Sequence, residues 1–241
     1  MRGESWRPNH KEWLIILEWT AVVLFLLAAL YFLWFILFPP EPILPAPAPD
    51  EFIRLEFRQR LRAAPLPAPD PAWAVEARPD RWRGIVLHHT ATEGGDPDGI
   101  DRFHRTANRW ENGLGYHFLI GNGKGMNDGE VVAGRRWREQ EKLPGAHVIM
   151  DDALKKSLFG APGDSQANDF AIGVALVGNF QNALPTPAQL AALLTLLNFL
   201  RSEYNLGLTS IFGHGQVSAG KTDCPGKGLL LDEILLALAN P

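Results

Sequence analysis

The sequence predicts a mixed α/β domain, a central β-sheet flanked by helices, preceded by one N-terminal transmembrane helix. Three observations predict it. Residues 19–38 contain no charge, proline or glycine. Beyond Trp73, short apolar runs rich in β-formers alternate with helical patterns, which argues for a sheet covered by helices. The stretch Phe212 to Gly226, F-G-H-G-Q-V-S-A-G-K-T-D-C-P-G, places the only cysteine, Cys224, ten residues after His214.

Composition narrows the function classes. A formal net charge of −4 over 241 residues offers no basic field, so no nucleic-acid partner is expected. A single cysteine excludes an intramolecular disulfide, leaving a hydrophobic core or a metal to hold the fold.

Twenty helical residues reach about 30 Å, the hydrocarbon thickness of a bilayer. Trp13, Trp19, Tyr31 and Trp34 scatter towards the ends of the apolar stretch, where amphipathic rings favour the interface. The apolar region of a cleavable signal is shorter, about 7–15 residues. The small-residue site Ala46-Pro47-Ala48 is followed by Pro49, which makes it a poor cleavage site. Residues 13–38 therefore read as an uncleaved signal anchor. Arg2, Arg7 and Lys11 precede it and no Lys or Arg follows until Arg54. That asymmetry places residues 1–12 in the cytoplasm and everything after Phe38 outside it.

Residues 39–72 read as a linker. Residues 39–50 form a proline-rich, semi-rigid spacer, and residues 51–63 a short amphipathic helix with a charged face. That helix suits an ordinary linker or a resting place on an anionic membrane surface. The domain proper is expected over 73–241, so a chain starting at Trp73 is expected to stay soluble.

Within the domain, Gly84 to Thr90 is a buried strand and residues 98–110 are helical. Gly113 to Ile120 reads as a second strand, turned by Gly121 to Gly125 towards a hairpin partner at Glu130 to Ala133. A loop with Arg135, Arg136, Trp137 and Gln140 leads to Gly145-Ala146-His147, and residues 149–169 carry no clear element. Ala171 to Val177 is another buried strand. Thr186-Pro187-Ala188-Gln189 is a capping box with proline at the first helical position, opening a helix to about Tyr204. Ser210 to Phe212 is a short strand delivering His214, and residues 228–239 close the domain as a helix.

A thiolate and an imidazole supply two of the three protein ligands that a catalytic zinc site needs, with one position left for water. His88-His89, at the end of the first domain strand, offers the third. Adjacent strand residues point to opposite faces, so only one of that pair can reach a shared metal. The same holds for Tyr116 and His117, and the pattern alone chooses within neither pair. The plain alternative is a small buried cysteine beside an unrelated histidine.

Six blocks, I-V-L-H-H-T-A-T, G-L-G-Y-H-F-L-I, G-A-H, A-I-G-V-A-L-V-G-N-F, T-P-A-Q-L and G-H-G-Q-V-x5-D-C-P-G, occur in this order. Together they resemble the zinc-dependent N-acetylmuramoyl-L-alanine amidases, with the peptidoglycan recognition proteins as kin, over about residues 82–240. The resemblance implies Zn²⁺ ligands at His88, His214 and Cys224, and catalytic groups at Tyr116 and Thr222, with Lys221 the alternative to Thr222. It also implies that His147 lines a substrate groove, with Trp137 and Arg135 as candidates for contacts to sugar or stem carboxylates. The ten-residue His-to-Cys interval resembles that of cytosolic muropeptide-recycling amidases, which usually carry Asp as third ligand.

The implied activity is zinc-assisted hydrolysis of the amide between the lactyl group of N-acetylmuramic acid and L-alanine of the stem peptide. The implied partners are peptidoglycan or muropeptides, and the membrane through the N-terminal helix. The expected location is the bacterial cell membrane, single-pass, with the catalytic domain on the extracytoplasmic side. The competing reading is a module that binds muropeptides without cutting them.

Overall fold

Asn9 starts the first helix. Its side chain accepts hydrogen bonds from the backbone N–H groups of Lys11 and Glu12, and Glu12 accepts from the Asn9 N–H in return. The helix that follows, α1 (His10–Leu37), has 28 residues and so a length of about 42 Å. Among the described residues it is the one helix long and apolar enough to cross a membrane, with a hydropathy of 2.4 for the span His10–Trp34. The computed structural model describes residues 9–38, 49–75, 80–139, 142–160 and 166–240. The chain divides into two compact units, 1–46 and 47–241. Arg2, Arg7, the Ala46-Pro47-Ala48 site, most of the proline-rich spacer, Gln140 and Pro162-Gly163 lie outside the described residues.

The second unit is built on a five-stranded mixed sheet of order β3-β2-β4-β1-β5. Its strands are β1 (Gly84–His89), β2 (Phe118–Ile120), β3 (Val131–Ala133), β4 (Ala171–Leu176) and β5 (Ile211–Gly213). β1 runs parallel to β4 and β5, β2 runs parallel to β4, and only β3 is antiparallel. The helices are α2 (Pro49–Ala63), α3 (Pro97–Thr106), α4 (Arg135–Arg138), α5 (Asp152–Phe159), α6 (Pro187–Tyr204), α7 (His214–Val217) and α8 (Leu231–Ala239). Every residue of β1 and β4 is buried, as continuous apolar runs in a sheet covered on both faces should be.

Strand periodicity divides the core in two. Ile85, Leu87, Ile172, Val174 and Leu176 pack with the leucines of α6 in the larger cluster. Val86 and Ala171 face the other way, towards Met150, Phe159 and Val217. His88 follows Val86 by two residues and so shares the face away from α6. The helix α6 begins where its capping signal predicts. Thr186 Oγ1 accepts from the Gln189 N–H at 3.0 Å, and Gln189 Oε1 accepts from the Thr186 N–H at 3.2 Å.

Three expectations need correction. The strand expected over 113–120 is reduced to Phe118–Ile120, because its first half bonds to a helix instead of a strand. The Leu114 N–H donates to Asp101 Oδ1 at 2.7 Å, and the Gly115 N–H to His104 Nδ1 at 3.1 Å. The 149–169 region contains α5, capped by Asp151 Oδ1 accepting from the Leu154 N–H. The domain boundary expected at 72–73 also moves. Phe57 of α2 is fully buried in the larger core cluster. Arg58 Nε lies 2.8 Å from Glu233 Oε2 and Arg54 Nη1 3.0 Å from Glu233 Oε1, so two arginines expected on a solvated face bind a buried carboxylate of α8. The Pro67 carbonyl accepts from Thr195 Oγ1 at 3.0 Å, and Trp73 is itself buried. Residues 49–73 are therefore a strap built into the second unit.

Gly173, in the middle of β4, is explained by a close approach. A Cβ there would lie 2.5 Å from Cδ2 of the His147 ring. Gly173→Ala is expected to destabilise the fold by about 1–3 kcal/mol, the usual cost of overpacking, because the ring it strikes is buried. Chemical denaturation of both proteins measures it, and an unchanged midpoint would show that the ring has room to move.

Candidate metal centre

The parallel strands β1 and β5 deliver their C-terminal ends to one edge of the sheet, where open α/β sheets place their ligands. His88 is the penultimate residue of β1, and His214 follows β5 directly as the first residue of α7. The loop after α7 folds back through a 2.7 Å bond from the Gly215 N–H to the Cys224 carbonyl, which brings Cys224 beside both. One potential ligand atom from each of His88, His214 and Cys224 lies within 4.8 Å of the others. His88 Nδ1 is 3.6 Å from Cys224 Sγ, and the His88 and His214 ring centroids are 4.5 Å apart. Zinc bonds of about 2.0–2.3 Å in a tetrahedron hold ligand atoms roughly 3.3–3.8 Å apart. The Nδ1–Sγ separation of 3.6 Å and the two-nitrogen, one-sulfur donor set fit that ion.

His89 points to the other face, where its Nδ1 accepts from the Phe180 N–H at 3.1 Å. Its backbone N–H contributes nonetheless, lying 3.4 Å from Cys224 Sγ. Burial lowers the pKa of His88 well below the imidazole range, with His147 and His214 adding to the effect. Burial also lowers that of His214 and pushes His147 down to about 3. All three imidazoles are thus neutral at physiological pH, the form that binds metal. Burial raises the Cys224 thiol to about 11, opposed by the bond from His89. A bound cation reverses that, since a coordinating thiol loses its proton.

Tyr116 borders the cluster, its ring centroid 5.2 Å from that of His88. It also lines a cleft of about 520 Å³ with Thr90, Ile100, Phe103 and His104. Burial, and then Cys224, raise its pKa above the ordinary phenol value, so the hydroxyl keeps its proton. Thr222 Oγ1 accepts from the Cys224 N–H at 3.2 Å, which ties it to the cysteine loop. Lys221 is exposed on the same loop.

The remaining expected residues fall elsewhere. His147 is only 6% exposed and lies behind His88, its Nδ1 3.1 Å from His88 Nε2, so it does not line an open groove. Trp137 is fully buried among Trp82, Phe118 and Tyr204, with its indole N–H donated to the Trp73 carbonyl at 2.8 Å. It has no surface left for a sugar. Arg135 is exposed and paired with Glu139 along α4 at 2.9 Å. Its neighbour Arg136 is the buried one, bonded through Nε to the Leu114 carbonyl. Two residues were not anticipated. His104 lines the cleft from α3, its Nδ1 held by the Gly115 N–H. Asn168 Oδ1 accepts from the His147 and Val148 N–H groups at 3.0 and 3.1 Å. No periodicity marks Asn168, because it works from a short 3-10 turn in a polar stretch.

The family model described as N-acetylmuramoyl-L-alanine amidase matches residues 78–227, more than half of the 241-residue chain. The chain belongs to this amidase family. A solved structure of the family, N-acetylmuramoyl-L-alanine amidase LysC from Clostridium intestinale, is 31% identical with a TM-score of 0.50, covering 66% of this chain and 86% of that one. Peptidoglycan-recognition protein SC1a of Drosophila melanogaster is 28% identical over 151 residues, covering 58% of this chain and 66% of the fly protein. The N-acetylmuramoyl-L-alanine amidase of Homo sapiens is 31% identical over 137 residues, covering 54% of this chain and 18% of its own length. The chain therefore spans about two thirds of the fly protein and less than a fifth of the human one. The mixed sheet flanked by helices is the fold of the amidase family.

Proposed function

We propose that this member of the amidase family is a zinc-dependent N-acetylmuramoyl-L-alanine amidase. It hydrolyses the amide between the lactyl group of N-acetylmuramic acid and L-alanine of the stem peptide, in peptidoglycan or muropeptides. The observation that carries the reading is the convergence of His88, His214 and Cys224 beside Tyr116, which itself lines a cleft. Residues 13–38 tether it as a signal anchor in the bacterial cell membrane, with residues 1–12 cytoplasmic and the second unit extracytoplasmic. The charge-free run from Trp19 to the end of α1 at Leu37 supports the tether.

His88, His214 and Cys224 would hold the ion. Bound zinc supplies Lewis acidity and an acidified water at neutral pH. Three protein ligands, as opposed to four, suit a centre that works on a substrate. The protonated Tyr116 hydroxyl donates a hydrogen bond to the oxyanion that develops on the scissile carbonyl. Thr222, whose oxygen already accepts from Cys224, keeps its own O–H to donate a second bond from the cysteine loop. Lys221 is the other candidate for that role. The cleft walls of Ile100 and Phe103 provide apolar contact for the substrate beside the reacting bond.

Detergent-solubilised full chain incubated with purified sacculi, with and without a chelator, tests the reading. Free stem peptides identified by mass spectrometry, absent when chelator is added, are expected. Binding to sacculi with no release would make the protein a recognition module. Tyr116→Phe is expected to keep zinc and substrate binding while slowing turnover by about 10²–10³, the usual effect of losing one oxyanion donor. Unchanged turnover would move the oxyanion role to another residue.

A further inference from the structure

Resting on the zinc reading above, we infer that His147 is a positioning residue for the metal centre, held between the Ala171 carbonyl and His88 so that it sets which nitrogen of His88 faces the metal. His147 Nε2 lies 3.0 Å from the Ala171 carbonyl oxygen, which can only accept, so Nε2 carries the hydrogen. A neutral imidazole has one N–H, which leaves a lone pair on His147 Nδ1. That atom lies 3.1 Å from His88 Nε2 and accepts its hydrogen. His88 Nδ1 is left unprotonated, and it is the atom 3.6 Å from Cys224 Sγ. The relay thus aims a lone pair into the space enclosed by His214 and Cys224.

The surroundings hold the relay in place. The backbone of His147 is pinned by Asn168, whose Oδ1 accepts from the His147 and Val148 N–H groups and whose Nδ2 donates to the Val148 carbonyl at 2.9 Å. Gly173 leaves the space that the ring occupies. The His147 ring meets that of His88 edge-on, at 83° and 5.0 Å between centroids, so rotation of either breaks the bond. Metal-bound histidines commonly donate their second N–H to such a partner, and loss of the partner typically weakens metal binding 10–100-fold.

The test is zinc affinity of the full chain, measured by competition with a chromophoric chelator, for the parent, His147→Leu, His147→Gln and Cys224→Ala. His147→Leu removes the acceptor and is expected to weaken binding about 10–100-fold. His147→Gln can accept from His88 through its oxygen and donate to Ala171 through its nitrogen, so it is expected to recover most of that loss. Parental affinity in the Leu variant would overturn the relay while leaving the zinc reading intact. Equal loss in Leu and Gln variants would also overturn it, showing that only the imidazole shape matters. A parent that binds no more zinc than Cys224→Ala would remove the zinc reading and the relay together. Nitrogen-15 NMR of the metal-free parent reads the tautomer without any substitution. Hydrogen on His88 Nε2 supports the relay, and hydrogen on Nδ1 overturns it.

Discussion

Cys224→Ala is expected to abolish tight zinc binding and amide hydrolysis together. The substitution leaves two imidazoles, His88 and His214, where a catalytic zinc centre takes three protein ligands. It also removes the only anionic ligand. Cys224→Asp is the informative companion. A carboxylate oxygen binds zinc at about 2.0–2.2 Å and a thiolate at about 2.3 Å, and both bring one negative charge. The His89 N–H, now 3.4 Å from the sulfur, can donate to a carboxylate as well. The Asp variant is therefore expected to retain zinc and measurable release of stem peptides, well above the Ala variant. Metal content by atomic spectroscopy and peptide release from sacculi decide it. An Asp variant as empty and inactive as Ala would mean that the loop closing at Gly215 holds this side chain too rigidly for the exchange. Full zinc in the Ala variant would remove Cys224 from the ligand set.

Deleting residues 1–72 is expected to damage the fold, whereas deleting residues 1–48 is not. The shorter chain, starting at Trp73, loses α2 and with it Phe57, which is fully buried against the core. Phe57→Ala alone is expected to cost about 3–5 kcal/mol, the range for truncating a buried phenylalanine. That is a large fraction of the stability of an ordinary domain. Removing the strap also leaves the buried Glu233 carboxylate without Arg54 and Arg58, and uncovers apolar surface on α6 and α8. Denaturant unfolding of chains starting at 49 and at 73 is the measurement. A single cooperative transition is expected for the first, and an earlier transition or aggregation for the second. Equal midpoints would show that the strap only rests on the surface.

Much of the sheet was legible because its central strands are unusually plain. Gly84 to His89 and Ala171 to Leu176 are buried on both faces, so they read as continuous apolar runs in sequence. Thr186 to Gln189 announced α6 through local hydrogen bonding, which needs no distant partner. The hairpin of β2 and β3 followed from its glycine-rich turn. Other elements depended on contacts made across the fold. α5 has eight residues, too few to show a clear period, and it buries Lys155 along with Phe159. The strand expected from Gly113 was diverted at its start by Asp101 and His104 of α3, which accept from the Leu114 and Gly115 N–H groups thirteen and eleven residues further along the chain.

For the site, the amino-acid order by itself determined the inventory: one cysteine ten residues after a histidine, a histidine pair ending a strand, and a tyrosine beside another histidine. It also determined that only one member of each adjacent pair can face a given side of the sheet, because side chains alternate along a strand. Tertiary structure decided which member does. Val86 packs away from α6, and that commitment turns His88 towards Cys224 and His89 towards Phe180. Tertiary structure also sent Trp137 into the core and placed His147 behind His88. Both outcomes depend on burial and on hydrogen-bond partners far along the chain, such as Trp73 for Trp137 and Ala171 for His147. For these two side chains, exposure is set by segments distant in sequence, which their local pattern does not show.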